Sequence, residues 1–265
     1  MNLEQKALFG LPIHTELGEL FPMSVYNYMD CSHFLQAMSF DKKRVLHEIR
    51  LAQPKEQQKS KEFTEVLTKI HDEYSLRQIL VEMMPQYFAA YVEVLSRCKK
   101  FDEPTEENGL PSKLEQAQNF LLEITTEQFD ELRAMILAIN AQSEQTASLN
   151  PEIQWHKERA LRFNSSKNDI EAPDASTLVT SVVTYTGINF DEVVNWNITQ
   201  LQHMFQRVAM FQSYQSYIIF ATVAGDKIEP VNWAENITTR KDSNTDSNFA
   251  VELKTFERNI GDAFS

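Results

Sequence analysis

The residues from which a reactive site would be built are few in this chain, and their spacing is poor for chemistry. The histidines are His14, His33, His47, His71, His156 and His203. A helical zinc site needs two of them three or four positions apart, and no pair has that spacing. His47-Glu48 and His71-Asp72-Glu73 set acids beside imidazoles, but neighbours on a helix point about 100° apart and do not face each other, so these read as surface histidines. Cys98 has Arg97, Lys99 and Lys100 beside it, cations that would lower a thiol pKa, yet no catalytic signature surrounds it. Cys31 is the only other cysteine, far away, so no disulfide framework is expected. The glycines, Gly10, Gly18, Gly109, Gly187, Gly225 and Gly261, stand singly, whereas a phosphate-cradling loop needs them clustered. The acidic stretch 102–111 lacks the alternating order of a calcium loop. The expectation is a protein without catalytic residues, cofactor or metal, and not an enzyme.

Composition narrows the partners. The formal net charge is −13, from 38 acidic and 25 basic residues in 265. That balance argues against binding a nucleic-acid backbone, which needs a basic footprint, and against an anionic membrane surface. No apolar run reaches the roughly 18 residues of a membrane span; the nearest, Val208–Ala224, is interrupted by Gln212, Ser213, Gln215 and Ser216. The start of the chain lacks the charged and apolar regions of a signal peptide, so a cytosolic protein is expected. The glycosylation-type triplets at Asn164, Asn197 and Asn236 then read as chance.

The periodicity is helical almost throughout. Residues 1–30 are the exception: Gly10, Pro12, Gly18 and Pro22 punctuate short apolar runs, which fits two extended pieces joined near Gly18, a small hairpin. Asp41 offers a cap ahead of Val45, Leu46 and Ile49, and Pro54 ends that run. Phe63, Val66, Leu67 and Ile70 share a face between Lys61 and Tyr74. Ile79, Leu80, Met83, Tyr87, Tyr91, Val94 and Leu95 continue the pattern to Phe101, with Pro85 as a break or kink. Thr125 and Gln128 form a capping box before Phe129, Leu132 and Ile136. The polar run 140–150 reads as a frayed end or linker, and Ile153–Phe163 as a charged helix.

These elements give a mainly α fold: an extended segment (1–30), a helical domain (31–163), a linker (164–173) and a smaller helical C-terminal domain (174–265). In the last, Asp174 or Ser176 caps a helix stopped at Gly187, and Phe249–Asn259 forms a final short helix. Between them lies a long helix from Ile198 to Gly225. Leu201, Met204, Phe205, Val208, Phe211, Tyr214 and Ile218 recur at three and four along it, and past Val208 the other faces fill with Met210, Tyr217, Ile219 and Phe220. Burying about ten such side chains supplies on the order of 15–30 kcal/mol before ordering entropy is subtracted. A helix apolar on most sides must be covered by its own chain or by other molecules. With Trp196 and Trp233 bracketing it, this helix is the expected interaction surface.

Two passages carry a resemblance. Thr180–Gly187, Phe190-Asp191-Glu192-Val193, Trp196 and the helix with Leu201 and Phe205, closed by Ala224–Trp233 and Ile237, are similar to the tail assembly chaperones of phages infecting Gram-positive bacteria. The opening Phe9–Gly18, followed by Tyr26 and Tyr28, also looks like the start of such tail proteins. The resemblance covers roughly the C-terminal third and is one of residue types. It implies a non-enzymatic helical protein of the host cytoplasm that binds the tape measure protein during virion assembly and self-associates into an oligomer. The helices of 41–163 have no counterpart in that family, which keeps a baseplate, hub or other tail component open, as well as an acidic host-directed inhibitor mimicking nucleic acid.

Overall fold

We analysed a computed structural model, which describes residues 1–103, 110–167, 174–224 and 233–234. Among these residues the chain forms thirteen helices and one two-stranded sheet, the mainly α fold with an N-terminal hairpin that the periodicity predicts. The expected final helix 249–259 and most of the 102–111 loop lie outside the described residues.

The extended segment is less extended than expected. It opens with helix α1, Leu3–Leu8, which Asn2 and Gln5 cap reciprocally. Strands β1 (Ile13–Thr15) and β2 (Gly18–Leu20) then pair antiparallel, Ile13 opposite Leu20 and Thr15 opposite Gly18. Gly18 has φ +105°, a conformation L side chains rarely adopt, and the Lys99 ammonium packs where a Cβ would stand, so any side chain here would strain the turn and displace Lys99. Lys99 in turn donates to the Leu17 carbonyl at 2.5 Å, which fixes the hairpin to the end of a core helix.

The main core is built around α7 (Pro85–Cys98), packed against α2 (Val25–Ser39), α6 (Leu76–Met83) and α8 (Lys113–Glu123). Phe88, Tyr91, Val92, Val94, Leu95 and Cys98 are all buried, so α7 is apolar on most sides because it is enclosed on most sides. Pro85 is the break: it occupies the first turn of α7, where its missing N–H costs nothing. Helices α3 (Lys42–Leu51), α4 (Lys55–Gln58), α5 (Lys61–Glu73), α9 (Thr126–Ile139) and α10 (Pro151–Lys167) complete this part. Sequence reading passes over α8, whose buried face amounts to Ala117 and Leu121, although the Ser112–Glu115 capping box marks its start. It also puts a boundary at 30 that falls inside α2, and a linker from 164 where α10 is still helical.

Polar groups pin the interior. The Arg133 guanidinium, buried in α9, donates through Nε to the Met38 carbonyl at 2.9 Å and to the Tyr91 hydroxyl at 3.1 Å, and through Nη2 to the Ser39 carbonyl at 3.0 Å; Glu144 pairs with its outer edge. Burial pushes the Tyr91 hydroxyl up to about 12, against the lowering influence of Arg133. Asn140 accepts from the Met23 amide at 2.9 Å and donates to the Cys98 sulfur. The run 140–150 is therefore no frayed linker: Gln145 exchanges hydrogen bonds with Ser39 and Asp41, and Ala147 is buried. His47 is also a correction. It is only 6% exposed and packs under α10, its Nε2 3.5 Å from Glu158. Neither ring nitrogen makes a hydrogen bond among the described residues. His71, half-buried, does meet its sequence neighbour Asp72, with Nδ1 3.0 Å from Oδ1.

Two predictions follow from these buried groups. Arg133→Met takes the guanidinium donors away from the Met38 and Ser39 carbonyls, which keep only the Tyr91 hydroxyl and the Gln145 amide, and should cost roughly 1.5–3 kcal/mol in urea unfolding, with no rescue by Arg133→Lys, since one ammonium cannot reproduce a planar fork. Burial, with Arg44 beside it, holds the His47 imidazole below its usual range. The unfolded chain then binds more protons than the folded one below about pH 6.5, so stability rises with pH through that window. Measured at pH 7.5 and 5.5, wild type should lose more stability on acidification than His47→Leu; equal losses would mean that Glu158 and Glu48 already compensate a charged ring.

Candidate interaction surface on the long helix

The surface begins with α11, Ala175–Thr186, capped by the Asp174 carboxylate, which accepts from the Thr177 amide at 2.8 Å. Those hydrogen bonds, side-chain and backbone, hold the Asp174 pKa below its usual value. Gly187 ends the helix in the left-handed region at φ +73°. A single turn, α12 (Phe190–Val193), returns the chain to α2, where the Val25 amide donates to the Trp196 carbonyl at 2.6 Å and the Tyr26 amide to Val194 at 3.0 Å.

Asn197 then starts α13, Ile198–Ala224, and fastens it. Its Oδ1 accepts from the Gln200 amide while its own amide donates to Gln200 Oε1, both at 2.9 Å. The remaining donor, Nδ2, reaches the Ala7 carbonyl at 2.7 Å. One buried side chain thus caps α13 and ties it to α1. This residue was not among the expected site residues, although the Asn197/Gln200 spacing is a readable capping box.

Above this joint the first half of α13 belongs to the chain's own core. Ile198 and Leu201 pack with Val25, Leu178, Val179, Val182 and Val193, and Trp196, Met204 and Phe205 close over them half-buried. Val208 is buried too. As an accessible surface the expected set therefore contracts: Leu201 is spent internally against α11, and Val208 is buried as well.

The cover runs out at Thr186. Tyr185, in the last turn of α11, meets Phe211 edge-on with centroids 6.3 Å apart and reaches Gln215 Oε1 with its hydroxyl at 3.4 Å. Trp233 stacks edge-on against Phe211 from beyond the helix, at 5.3 Å, and its carbonyl accepts from Arg207 Nη1 at 2.7 Å. Past this girdle Tyr214 is half-buried, Ile218 is 45% exposed and Ile219 is 63% exposed. From Ala209 to Ala224 the helix carries no charge at all. The structure thus brings together Phe211, Tyr214 and Trp233 with Tyr185, which the spacing did not single out, and leaves Ile218 and Ile219, the latter expected on another face of the helix, exposed beyond them.

Nothing among the described residues rivals it as a site of chemistry. No group of three or more His, Cys, Asp or Glu side chains could hold a metal ion. Burial pushes the Cys98 thiol up to about 12, the reverse of the lowering its basic neighbours suggest, because the sulfur is enclosed and they are not. The cleft of about 600 Å³ between α3, α6 and α9 mixes Lys42, His71 and Arg133 with Asp41, Asp130 and Glu144, so it favours neither sign of ligand. No helix among the described residues is long and apolar enough to cross a membrane.

Residues 1–148 match the family model of the YomV N-terminal domain and residues 166–238 that of the YomV second domain. The chain belongs to the YomV family. It is 23% identical over 255 residues, 91% of either chain, to the SPbeta prophage-derived uncharacterized protein YomV of Bacillus subtilis (strain 168). No solved structure matches.

The joint gives a prediction. Asn197→Ala removes the cap of α13 and the donor to Ala7 together, and should lower stability by about 2 kcal/mol, while Asn197→Asp, which keeps the cap, should recover part of it. Thermal unfolding followed by circular dichroism reads both; an Asn197→Ala midpoint equal to wild type would remove this residue from the role.

Proposed function

We infer that this chain is a non-enzymatic phage assembly protein, a tail assembly chaperone that holds the tape measure protein in the host cytoplasm and self-associates as it does so. The observation that carries this reading is the second half of α13: an uncharged, partly uncovered apolar helix on a chain of net charge −13. A face of that kind suits a long, apolar-surfaced partner, and the acidic remainder keeps the complex dispersed. The prophage origin of the B. subtilis relative supports a phage setting. The absence of a clustered reactive site among the described residues fits a binding role, and the negative charge fits neither nucleic acid nor an anionic membrane as partner. The interspersion of lysine and arginine with the acids weakens the reading as a nucleic-acid mimic.

Light scattering coupled to size exclusion, on the protein alone and co-expressed with tape measure fragments, tests it. The expected result is an oligomer that retains a fragment. Ile218→Asp with Ile219→Asp should abolish retention while leaving the unfolding midpoint within about 0.5 kcal/mol of wild type, since both side chains are exposed. Retention by the double variant would move the contact off α13, and a wild-type monomer that ignores every fragment would overturn the chaperone reading.

A further inference from the structure

One buried arginine differs from its neighbours in how its charge is met. Arg44 pairs with Glu48, Arg97 with Asp30 and Glu93, and Arg133 with Glu144. Arg50, in the last turn of α3, is 2% exposed, more buried than any of these, and meets no acid among the described residues. Its Nη2 donates to the Thr64 hydroxyl at 3.3 Å, a neutral acceptor. Its Nε and Nη1 have no hydrogen-bond partner among the described residues. Burial alone acts on its pKa, downward, and a guanidinium keeps its proton nonetheless. The carbonyl end of α3 favours a cation there, but an enclosed charge with two idle donors is still costly.

Arg50 faces a second set of donors. Thr64 stands in the first turn of α5, its hydroxyl turned back to the Ser60 carbonyl at 3.0 Å. Ser60 caps the Phe63 amide, whereas the amides of Lys61 and Glu62 precede any intrahelical acceptor. The start of a helix is a seat for an anion and a poor neighbour for a cation. Local charge does not oppose an anion either. Across α4 and the start of α5, Lys55, Lys59 and Lys61 match Glu56, Glu62 and Glu65, a balanced stretch on a chain of −13.

We propose that Arg50, Thr64 and the first amides of α5 form a binding site for a tetrahedral oxyanion of the phosphate class, as free phosphate or as the phosphoryl group of a small phosphomonoester. The guanidinium supplies charge-assisted donors, and α5 supplies amides and the positive end of its dipole. The anion enters through the connection from α3 to α5, which is lightly held. Helix α4 buries no residue, and Gln58 Nε2 ties it to the Leu51 and Gln53 carbonyls at 3.2 and 2.7 Å. The site uses neither α11 nor α13, so it stands or falls apart from the chaperone reading.

Thermal unfolding of the full chain, titrated with potassium phosphate against potassium chloride of equal ionic strength, tests it. Phosphate at about ten times its dissociation constant should raise the midpoint by roughly 3–5 °C and saturate, while chloride should not. Arg50→Met keeps the apolar stem and should abolish the response, with a midpoint in chloride equal to wild type or higher. Thr64→Val, at a half-buried position, should weaken phosphate binding several-fold in titration calorimetry, and it serves if Arg50→Met does not fold. O-phosphoserine in place of phosphate separates the sources: tighter binding assigns the site to a phosphomonoester, weaker binding to the free ion. No saturable response to either in wild type would overturn the proposal. So would a response of equal size in Arg50→Met or, where only that variant folds, in Thr64→Val.

Discussion

The structure of the C-terminal part depends on one constraint: α13 is fastened at its first turn and is longer than the helix that covers it. Asn197 spends all of its polar atoms on the joint, two with Gln200 and one on Ala7. From there α13 runs for about 40 Å, while α11 covers about half of that length. The stripe that begins in the core at Leu201 therefore emerges from it near Phe211, where Tyr185 and Trp233 form a girdle of rings at the point of exit. The change in composition along the same stripe follows the change in surroundings. Leu201 and Val208 give way one and two heptads on to Gln215 and Thr222, while the adjacent row keeps Met204, Phe211 and Ile218. The emerging helix is half-dressed for water, which keeps it from being a simple core helix and from being an ordinary surface one.

The joint also explains why the two hydrophobic clusters form one connected body. Helix α2 serves both: Val25 lies in the C-terminal cluster, Cys31, Leu35 and Met38 in the main core, and Tyr28 touches each. Its first amides pair with Trp196 and Val194, so the entry to α13 is set by backbone bonds to the N-terminal part as well as by packing. A division of the chain at residue 30 misses this because hydrophobic periodicity describes one helix at a time. It cannot say that a single helix has two clients on two faces.

What the sequence made legible was local. The hairpin at Gly18, the break at Pro85, the box at Thr125 and the stop at Gly187 each follow from the chemistry of one or a few neighbouring residues, and each stands in the structure. What it hid was long-range. His47 looks like a surface histidine because its neighbours are charged, yet α10 closes over it from a hundred residues away. The 140–150 run looks like a linker because it is polar, yet its backbone is consumed by Ser39 and Asp41. For the candidate surface, the apolar spacing identified the right helix but could not tell its buried half from its bare one. That distinction is set by where α11 ends in space, and Tyr185, which marks the place, is a residue type common in cores and surfaces alike.

The distribution of charge gives this arrangement its consequence. Desolvating a charge at an interface is expensive unless it is paired, so an acidic protein that associates through a helix must keep that helix neutral and place its acids elsewhere. The sixteen positions from Ala209 to Ala224 do so, with glutamine, serine, threonine and tyrosine supplying polarity without ionisation. These side chains hydrogen-bond to water when the helix is bare and to backbone or one another when it is covered, as Tyr185 and Gln215 already do. If α13 is the interaction surface, as proposed, its neutrality leaves selection of a partner at the contact to shape and to the spacing of Phe211, Ile218 and Ile219 along the helix. A partner that presents its own apolar residues at three and four positions meets that spacing; one that relies on charge finds nothing to pair with.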